Sequence, residues 1–282
     1  MDGDQAPVAL WCFDRVSAGD RQVRLGLISA FGAYLIWGLL PLFLKQISFA
    51  SPWEILGQRV VWSIPAAAAV ALFGGFAAAA AAFRKKGVLR ALALSSVLIG
   101  ANWAIFVWAV ATGRVIEGSL AYFLSPLITV VVGVVVFKER LRGLQGPALV
   151  VAAIGVVFQA VAIGHIPWVS LGLCASWVAY SVIRRQAPVP AAAGLLAETA
   201  FLAVPAALLL WVLAGRGEGL AFADSLAHGS LLALMGPLTA APLILFAFSA
   251  RRVSFIALGV LQYVGPSLQL LTGLAYGRAL AL

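Results

Sequence analysis

The stretch GAYLIWGLLPLFLKQ, residues 32–46, decides the fold because a related stretch, GLCASWVAYSVIRRQ, follows at residues 172–186. The two share their Gly, Trp and Gln at an offset of 140 positions. The same offset joins further rare residues without a gap: Pro65 with Pro205, Phe106 with Phe246, Pro126 with Pro266, and Gly133 with Gly273. The chain therefore contains two related copies of one unit, and an apolar chain of this kind is typical of a membrane protein with a site between its halves.

The composition predicts a membrane protein. Apolar residues make up 63% of the chain, charged residues 10%, and the mean hydropathy is +1.04. Stretches with few or no charges have the roughly 20-residue length that crosses a bilayer as a helix. We predict nine transmembrane helices and an all-α fold, with spans at residues 25–44, 60–83, 91–113, 118–137, 143–164, 166–183, 199–215, 229–250 and 253–277.

The basic residues set the predicted orientation. Of the 19 Lys and Arg, 14 lie before helix 1 or in the connections after helices 2, 4, 6 and 8. The positive-inside rule therefore predicts a cytoplasmic N-terminus in a bacterial inner membrane. The net charge of +9 then reflects topology and not nucleic-acid binding. Residues 1–24 carry no signal-peptide pattern and are expected to form a disordered cytoplasmic extension.

The repeat divides the chain at residue 164. Residues 25–164 form a first unit with helices 1–5, and residues 165–282 form a second unit with helices 6–9. Because five is odd, the second unit enters the membrane from the opposite side, so we predict an inverted repeat. The offset also predicts a tenth helix at residues 281–304, so a truncated reading of the gene is expected.

Matched prolines point to a central site. Pro65, Pro126, Pro205 and Pro266 lie within predicted spans, where proline removes a helical hydrogen bond and favours a kink. Kinks at corresponding points of two repeats indicate a substrate site near the midplane. Polar and aromatic groups at membrane depth are the candidate substrate-binding residues: Tyr34, Trp37, Arg59, Asn102, Tyr122 and Tyr263.

Charged groups inside a membrane are costly and each needs a reason. Arg59 is interpreted as snorkelling to the interface, pairing with a carboxylate or binding an anionic solute. Glu54, Glu117 and Glu198 are the candidate proton or ion-pair carboxylates. Glu54 also fits a capping box with Ser51, and Glu117 fits the positive end of its own helix. Asn102 fits a hydrogen bond to a neighbouring helix as well as a solute. A pair between Arg59 and Glu198 is a further hypothesis.

Enzyme signatures are absent from the sequence. It holds no zinc motif, nucleophile elbow or phosphate loop, and two Cys and two His do not make a metal cluster. We therefore predict no catalytic residues, no metal and no cofactor. The expected partners are a small-molecule substrate and the lipid bilayer, without nucleic acid, and a homodimer is left open.

Several segments resemble the RarD branch of the EamA family, in the drug/metabolite transporter superfamily. They are AYLIWGLLP (residues 33–41), EIL with RVVWS (54–56 and 59–63), LIGANW (98–103), EGSLAYFLSPL (117–127), KERL (138–141) and LGVLQYVGP (258–266). The resemblance implies ten helices in two inverted repeats, an inner-membrane location and a permease role. The chain departs from the family at Arg278, where a glutamate is usual, and in its lack of a tenth helix.

Two functions remain open from the sequence. The first is a permease that moves a small amphipathic or charged solute by alternating access, with proton coupling through a carboxylate such as Glu198. The alternative is a non-transporting membrane protein that assembles with or regulates a partner. The alternative predicts that polar groups in the spans pair only with one another.

Overall fold

A computed structural model describes residues 8–73, 80–81, 83–216 and 220–279, with side chains described from residue 20 to residue 275 within those ranges. The described chain is a bundle of ten α-helices with one short 3₁₀ helix at Ala221–Ala223. The α-helices are α1 (Val8–Gln46), α2 (Pro52–Phe73), α3 (Val88–Ala111), α4 (Val115–Val135), α5 (Gln145–Ile163), α6 (Trp168–Gln186), α7 (Ala191–Gly215), α8 (Leu226–Ala250), α9 (Phe255–Gln262) and α10 (Val264–Ala279).

The bundle has the composition of a membrane protein. Eight segments of the described chain are long and apolar enough to cross a bilayer, with α9 and α10 together forming one of them. Helices suit this environment because lipid offers no partners for backbone N–H and C=O groups. Helix α6 is a 19-residue helix at a predicted span but is not one of the eight, because its serines and the Arg184–Arg185 pair make it more polar. The count of nine spans therefore stays a prediction.

Several helix bounds differ from the predicted spans. Helix α1 runs back to Val8, so the disorder expected at residues 8–24 is wrong. No proline interrupts the chain between Pro7 and Pro41, and an established helix extends at little cost. Helices α2 and α7 begin eight residues earlier than predicted, because the charged residues Arg59 and Glu198 stand directly before the predicted spans and hydropathy excludes them. Residues 74–79, the later part of the second predicted span, lie outside the described residues.

The four matched prolines occupy different local structures. Helices α2, α4 and α7 are continuous through Pro65, Pro126 and Pro205. Near Pro266 the helix is interrupted at Tyr263, which separates α9 from α10. Pro266 then stands in the first turn of α10, where the missing N–H costs nothing. A kink at the other three positions stays a prediction.

Helix packing follows a regular pattern across the two halves of the chain. Helix α2 packs on α7 and α8, α1 packs on α8 and α10, α3 packs on α6 and α7, and α4 packs on α6 and α9. Most contacts therefore join a first-half helix to a second-half helix. The main core combines residues of both halves, including Tyr34, Trp103, Tyr180 and Phe246.

The bundle has two distinct ends. At the basic end, Arg251 donates to the Val189 carbonyl at 2.7 Å, and Arg252 Nε donates to Gln22 Oε1 at 2.8 Å. Helix α1 therefore enters the bundle from the end where α8 finishes. At the far end, the Phe49 ring stacks on His228 with centroids 3.8 Å apart, which joins the α1–α2 connection to the start of α8.

Candidate functional site

The centre of the candidate site is Arg59, in the third turn of α2. Its Nε donates to Thr239 Oγ1 of α8 at 3.3 Å. Its guanidinium carbon lies 4.3 Å from the ring centroid of Trp103 of α3, a cation–π contact. The side chain is thus held in the interior, between three helices, and does not snorkel along the outside of the bundle.

Three residues of the site share one depth. Arg59 is seven residues past the start of α2, Tyr122 is seven past the start of α4, and Trp103 is eight before the end of α3. With a rise of about 1.5 Å per residue, each lies about 10–12 Å below the far end of the bundle. The site therefore sits between the far end and the middle of these helices.

The positive charge of Arg59 has no counterion among the described residues. Across the part of the chain that the structure describes, no carboxylate forms an ion pair with it. Its two Nη groups donate to no acceptor among those residues, and they are not among the buried polar atoms that lack partners. They therefore keep accessible surface, and the free edge of the guanidinium is available to a ligand.

Tyr122 supplies a polar, partly open wall. Its side chain interacts electrostatically with Arg59, and 37% of its surface is accessible. Its ring meets the edge of Phe106 with centroids 6.0 Å apart. Trp103 and Tyr122 are therefore aromatic neighbours of Arg59, and Phe106 packs against Tyr122.

Tyr34 and Trp37 belong to a neighbouring aromatic cluster, formed with Trp177, Tyr180 and Phe246. Trp37 and Trp177 meet edge to face at 5.3 Å, and Trp177 lies 4.9 Å from Phe246. Tyr34 is buried, and its hydroxyl has no hydrogen-bond partner among the described residues. These residues therefore pack against the interior next to the Arg59 site.

Asn102 and Tyr263 make contacts between helices. The Asn102 amide donates to the Leu173 carbonyl at 2.8 Å and to Ser176 Oγ at 3.0 Å, so it joins α3 to α6. The Tyr263 hydroxyl donates to the Phe123 carbonyl at 3.4 Å. In this structure the Asn102 amide group serves helix packing, the other role that the sequence left open for it.

Glu198 pairs with Arg184 and not with Arg59. Glu198 Oε1 lies 3.6 Å from Arg184 Nη1, and the two side chains are 1% and 2% exposed. Ser95 of α3 donates to the same carboxylate, and Tyr180 donates to Oε2 at 3.5 Å. Arg184 also donates to the Ala191 carbonyl at 2.9 Å. This buried network joins the end of α6 to α7 and to α3.

Glu54 and Glu117 bind the starts of second-half elements. The Glu54 carboxylate accepts hydrogen bonds from the N–H groups of Ala221 and Phe222, at 3.1 and 2.9 Å, at the start of the 3₁₀ helix. Ser51 Oγ accepts from the Glu54 N–H at 3.1 Å, which confirms Ser51 as the cap of α2.

The Glu117 carboxylate lies in ion-pair contact with Arg114 at 3.4 Å and accepts from the Val169 N–H at 3.3 Å. Glu117 therefore binds the start of α6 as well as standing at the start of its own helix, α4. A carboxylate at a helix start is favoured by the free N–H groups there.

Glu139 is a third such carboxylate, which the sequence analysis did not select. It accepts from the N–H groups of Phe255 and Ile256, each at 2.9 Å, and from Arg185 at 3.0 Å. The KERL segment was the available signal, because a lone glutamate between basic residues at a helix end needs a specific partner. Trp103 and Thr239 were also missed as partners of Arg59.

These features define a class: a multi-pass helical membrane protein with an arginine inside its bundle that no described carboxylate neutralises. Comparison with known proteins gives the family. Residues 24–160 match the model of the EamA-like transporter family. The chain is 37% identical to the RarD protein of Streptomyces exfoliatus, over 91% of this chain and 82% of that protein. An uncharacterized transporter of Pseudomonas aeruginosa is 40% identical, over 88% and 84%.

The RarD protein of Escherichia coli is 34% identical, over 91% of this chain and 87% of that protein. A solved crystal structure has the same fold, with a TM-score of 0.67 and 19% identity, over 90% of this chain and 89% of the other. The chain therefore belongs to the EamA family, among its RarD proteins, and is a membrane transporter by this relationship.

Proposed function

We propose that the protein is a permease that moves a small amphipathic solute with an anionic group by alternating access between two inverted halves. The observation that carries this proposal is the uncompensated Arg59 cation, held by Thr239 and Trp103 with its Nη groups free. An unpaired charge at this depth is costly, and a bound anion would offset that cost. The aromatic lining suits the apolar part of such a solute.

The arrangement of the halves supports inversion. In the repeat, α1 corresponds to α6, α3 to α8, and α4 to α9–α10. Exchanging the two halves turns the α1–α8 contact into an α6–α3 contact, and the α4–α6 contact into a contact between α9–α10 and α1. All of these contacts occur. Residues at equivalent repeat positions also touch across the seam: Trp37 meets Trp177, and Phe123 accepts from Tyr263. A pseudo-two-fold axis through both contacts would relate the halves, with α1 and α6 antiparallel.

The orientation follows from the basic end. It holds Arg184, Arg185, Arg251 and Arg252, so we place it in the cytoplasm of a bacterial inner membrane, with the N-terminus on that side. The Arg59 site then lies nearer the outer face.

Glu198 is unsuited to carry a coupled proton in this arrangement. Protonation would leave Arg184 as a buried cation without a counterion, and breaking a buried ion pair is strongly unfavourable. We therefore propose transport that does not require a proton on Glu198. The alternative of a non-transporting partner protein predicts that all polar groups in the spans pair with one another, and Arg59 departs from that pattern.

Counterflow in proteoliposomes tests the proposed function. Purified protein would be reconstituted and loaded with unlabelled solute, and uptake of the labelled solute measured for benzenesulfonate, phenylalanine, benzylamine and benzenesulfonamide. We expect exchange of at least one of the two solutes that carry an anionic group, benzenesulfonate and phenylalanine. Arg59→Gln should reduce it about tenfold or more, because hydrogen bonds to charged groups contribute about 1.5–3 kcal/mol.

Arg114→Gln is the matched control, since Arg114 is a half-exposed arginine that already contacts Glu117. It should retain most of the exchange. Absence of exchange for every solute, with folded and inserted protein, would contradict the permease function.

A further inference from the structure

We infer that the transported solute is an organic monoanion, with a single carboxylate or sulfonate group, and that it moves without a coupling ion. This inference rests on the proposed function and adds the charge of the solute and the electrical character of the cycle. Two observations carry it: the charge count around Arg59 and the engagement of the described glutamates elsewhere.

The charge count gives the charge of the solute. Within helices α2–α9, Arg59 is the one Lys or Arg that lies more than one turn from a helix end, and Arg184, near the end of α6, has Glu198 as its counterion. The empty site therefore carries one positive charge. A singly charged anion on the free Nη edge makes the loaded site neutral, whereas a dianion would leave an uncompensated negative charge in a low-dielectric interior.

The described glutamates leave no carboxylate in the site for a coupling proton or sodium ion. Glu54, Glu117 and Glu139 each accept backbone N–H groups at the start of another element. Glu198 is bound to Arg184, Ser95 and Tyr180. The aspartates lie within the first 20 residues or, for Asp224, in the connection before α8. The cycle therefore carries one net negative charge per solute.

The aromatic neighbours of Arg59 indicate the chemical character of the rest of the solute. One face of the guanidinium is covered by Trp103, which leaves its edge for two parallel hydrogen bonds to a planar or trigonal oxyanion. Tyr122 is a neighbour of Arg59 and its ring meets Phe106, and such aromatic rings suit a flat apolar group.

The test uses probes of similar shape that carry one negative charge, no charge or two negative charges. Proteoliposomes containing the full chain would be given labelled benzenesulfonate, the neutral benzenesulfonamide or 1,3-benzenedisulfonate. A potassium gradient with valinomycin sets the membrane potential. We expect net benzenesulfonate accumulation to rise about tenfold for each 60 mV of inside-positive potential, because one charge in 100 mV is worth about 2.3 kcal/mol.

A second measurement locates the voltage-sensitive step. With benzenesulfonate at saturating concentration on both sides, its exchange should be independent of the potential, because the loaded site is neutral. Net uptake should remain dependent on the potential, because the empty site returns with its positive charge.

The outcomes separate this inference from the permease function. Accumulation that follows an imposed pH or sodium gradient, or preferential transport of benzenesulfonamide or the disulfonate, would overturn the monoanion uniport and leave the permease intact. Transport of none of the three probes would overturn the inference, and the counterflow panel decides the permease function separately. Arg59→Gln should abolish the potential-dependent accumulation, whereas Arg114→Gln should preserve it.

Discussion

Two arginines enter the interior of this bundle, and the chain treats them in opposite ways. Arg184 has a buried glutamate at 3.6 Å and donates to a backbone carbonyl at 2.9 Å. Arg59 contacts the hydroxyl of Thr239 and the ring of Trp103. Its Nη groups make no hydrogen bond to the described residues, and none of the described carboxylates pairs with it. Both sit in helices that also pack against the other half of the molecule.

The difference separates a structural charge from a binding charge. A buried ion pair neutralises its own charge, although Arg184 Nε and Nη1 have no hydrogen-bond partner among the described residues, and this pair joins α6, α7 and α3. A cation without a counterion stays costly until an anion arrives. Removing the Glu198 carboxylate should therefore destabilise the fold, whereas changes around Arg59 should weaken solute binding.

The largest effect should come from Glu198→Ala. It leaves Arg184 buried without its counterion, and breaking such a pair costs about 3–5 kcal/mol. We expect a large loss of thermal stability in detergent, measured by fluorescence-detected size-exclusion chromatography after heating.

The double variant Arg184→Met, Glu198→Leu is the control for this prediction. Because it replaces both charges by apolar groups, it should recover most of the stability. Equal losses in the single and double variants would contradict the account of the pair.

Gly194→Ala should give a smaller loss at the same network. A Cβ at Gly194 would clash with Arg184 Nη1, so the guanidinium that pairs with Glu198 must shift. Overpacking of this kind costs about 1–3 kcal/mol. The matched change is Gly155→Ala in α5, where a Cβ meets nothing within 4 Å and alanine favours the helix by about 0.5–1 kcal/mol. If Gly194→Ala and Gly155→Ala shift the melting temperature in the same direction, the close contact between residue 194 and Arg184 is refuted.

Trp103→Leu tests the other arginine and should act on affinity. Loss of the ring removes the cation–π contact with Arg59, worth about 1 kcal/mol, so we expect about a fivefold rise in the KM for exchange. Trp211→Leu is the control, because Trp211 is 73% exposed on the outside of the bundle. If Trp103→Leu and Trp211→Leu have a similar KM, Trp103 does not contribute to solute binding.

The sequence predicted the helical class and most of the span positions, because long apolar stretches have few alternatives in lipid. It also selected Arg59 and Tyr122, which the structure brings to one depth. It missed the pairing of Glu198 with Arg184, although the proline-containing turn at Pro188–Pro190 makes α6 and α7 a hairpin and brings the two charges together.

The remaining errors have a common physical cause. Thr239 is 180 residues from Arg59, and Glu139 meets an N–H group 116 residues away, so both contacts depend on how the two halves pack. Hydropathy and residue spacing describe single helices and carry no information about such long-range pairs. The repeat could have linked Trp37 with Trp177 by position, but contact between them is a property of the packed bundle.

The most direct test of the central claim is charge rescue at position 59. Arg59→Cys would be made in a background with Cys12→Ser and Cys174→Ala, which removes both native thiols. We expect the variant to lose benzenesulfonate exchange, to recover part of it after a thiosulfonate reagent adds an ammonium group, and to gain nothing from a reagent that adds a sulfonate. Exchange by unlabelled Arg59→Cys at the level of its background, or equal recovery with the sulfonate-adding and the ammonium-adding reagents, would contradict a binding role for Arg59.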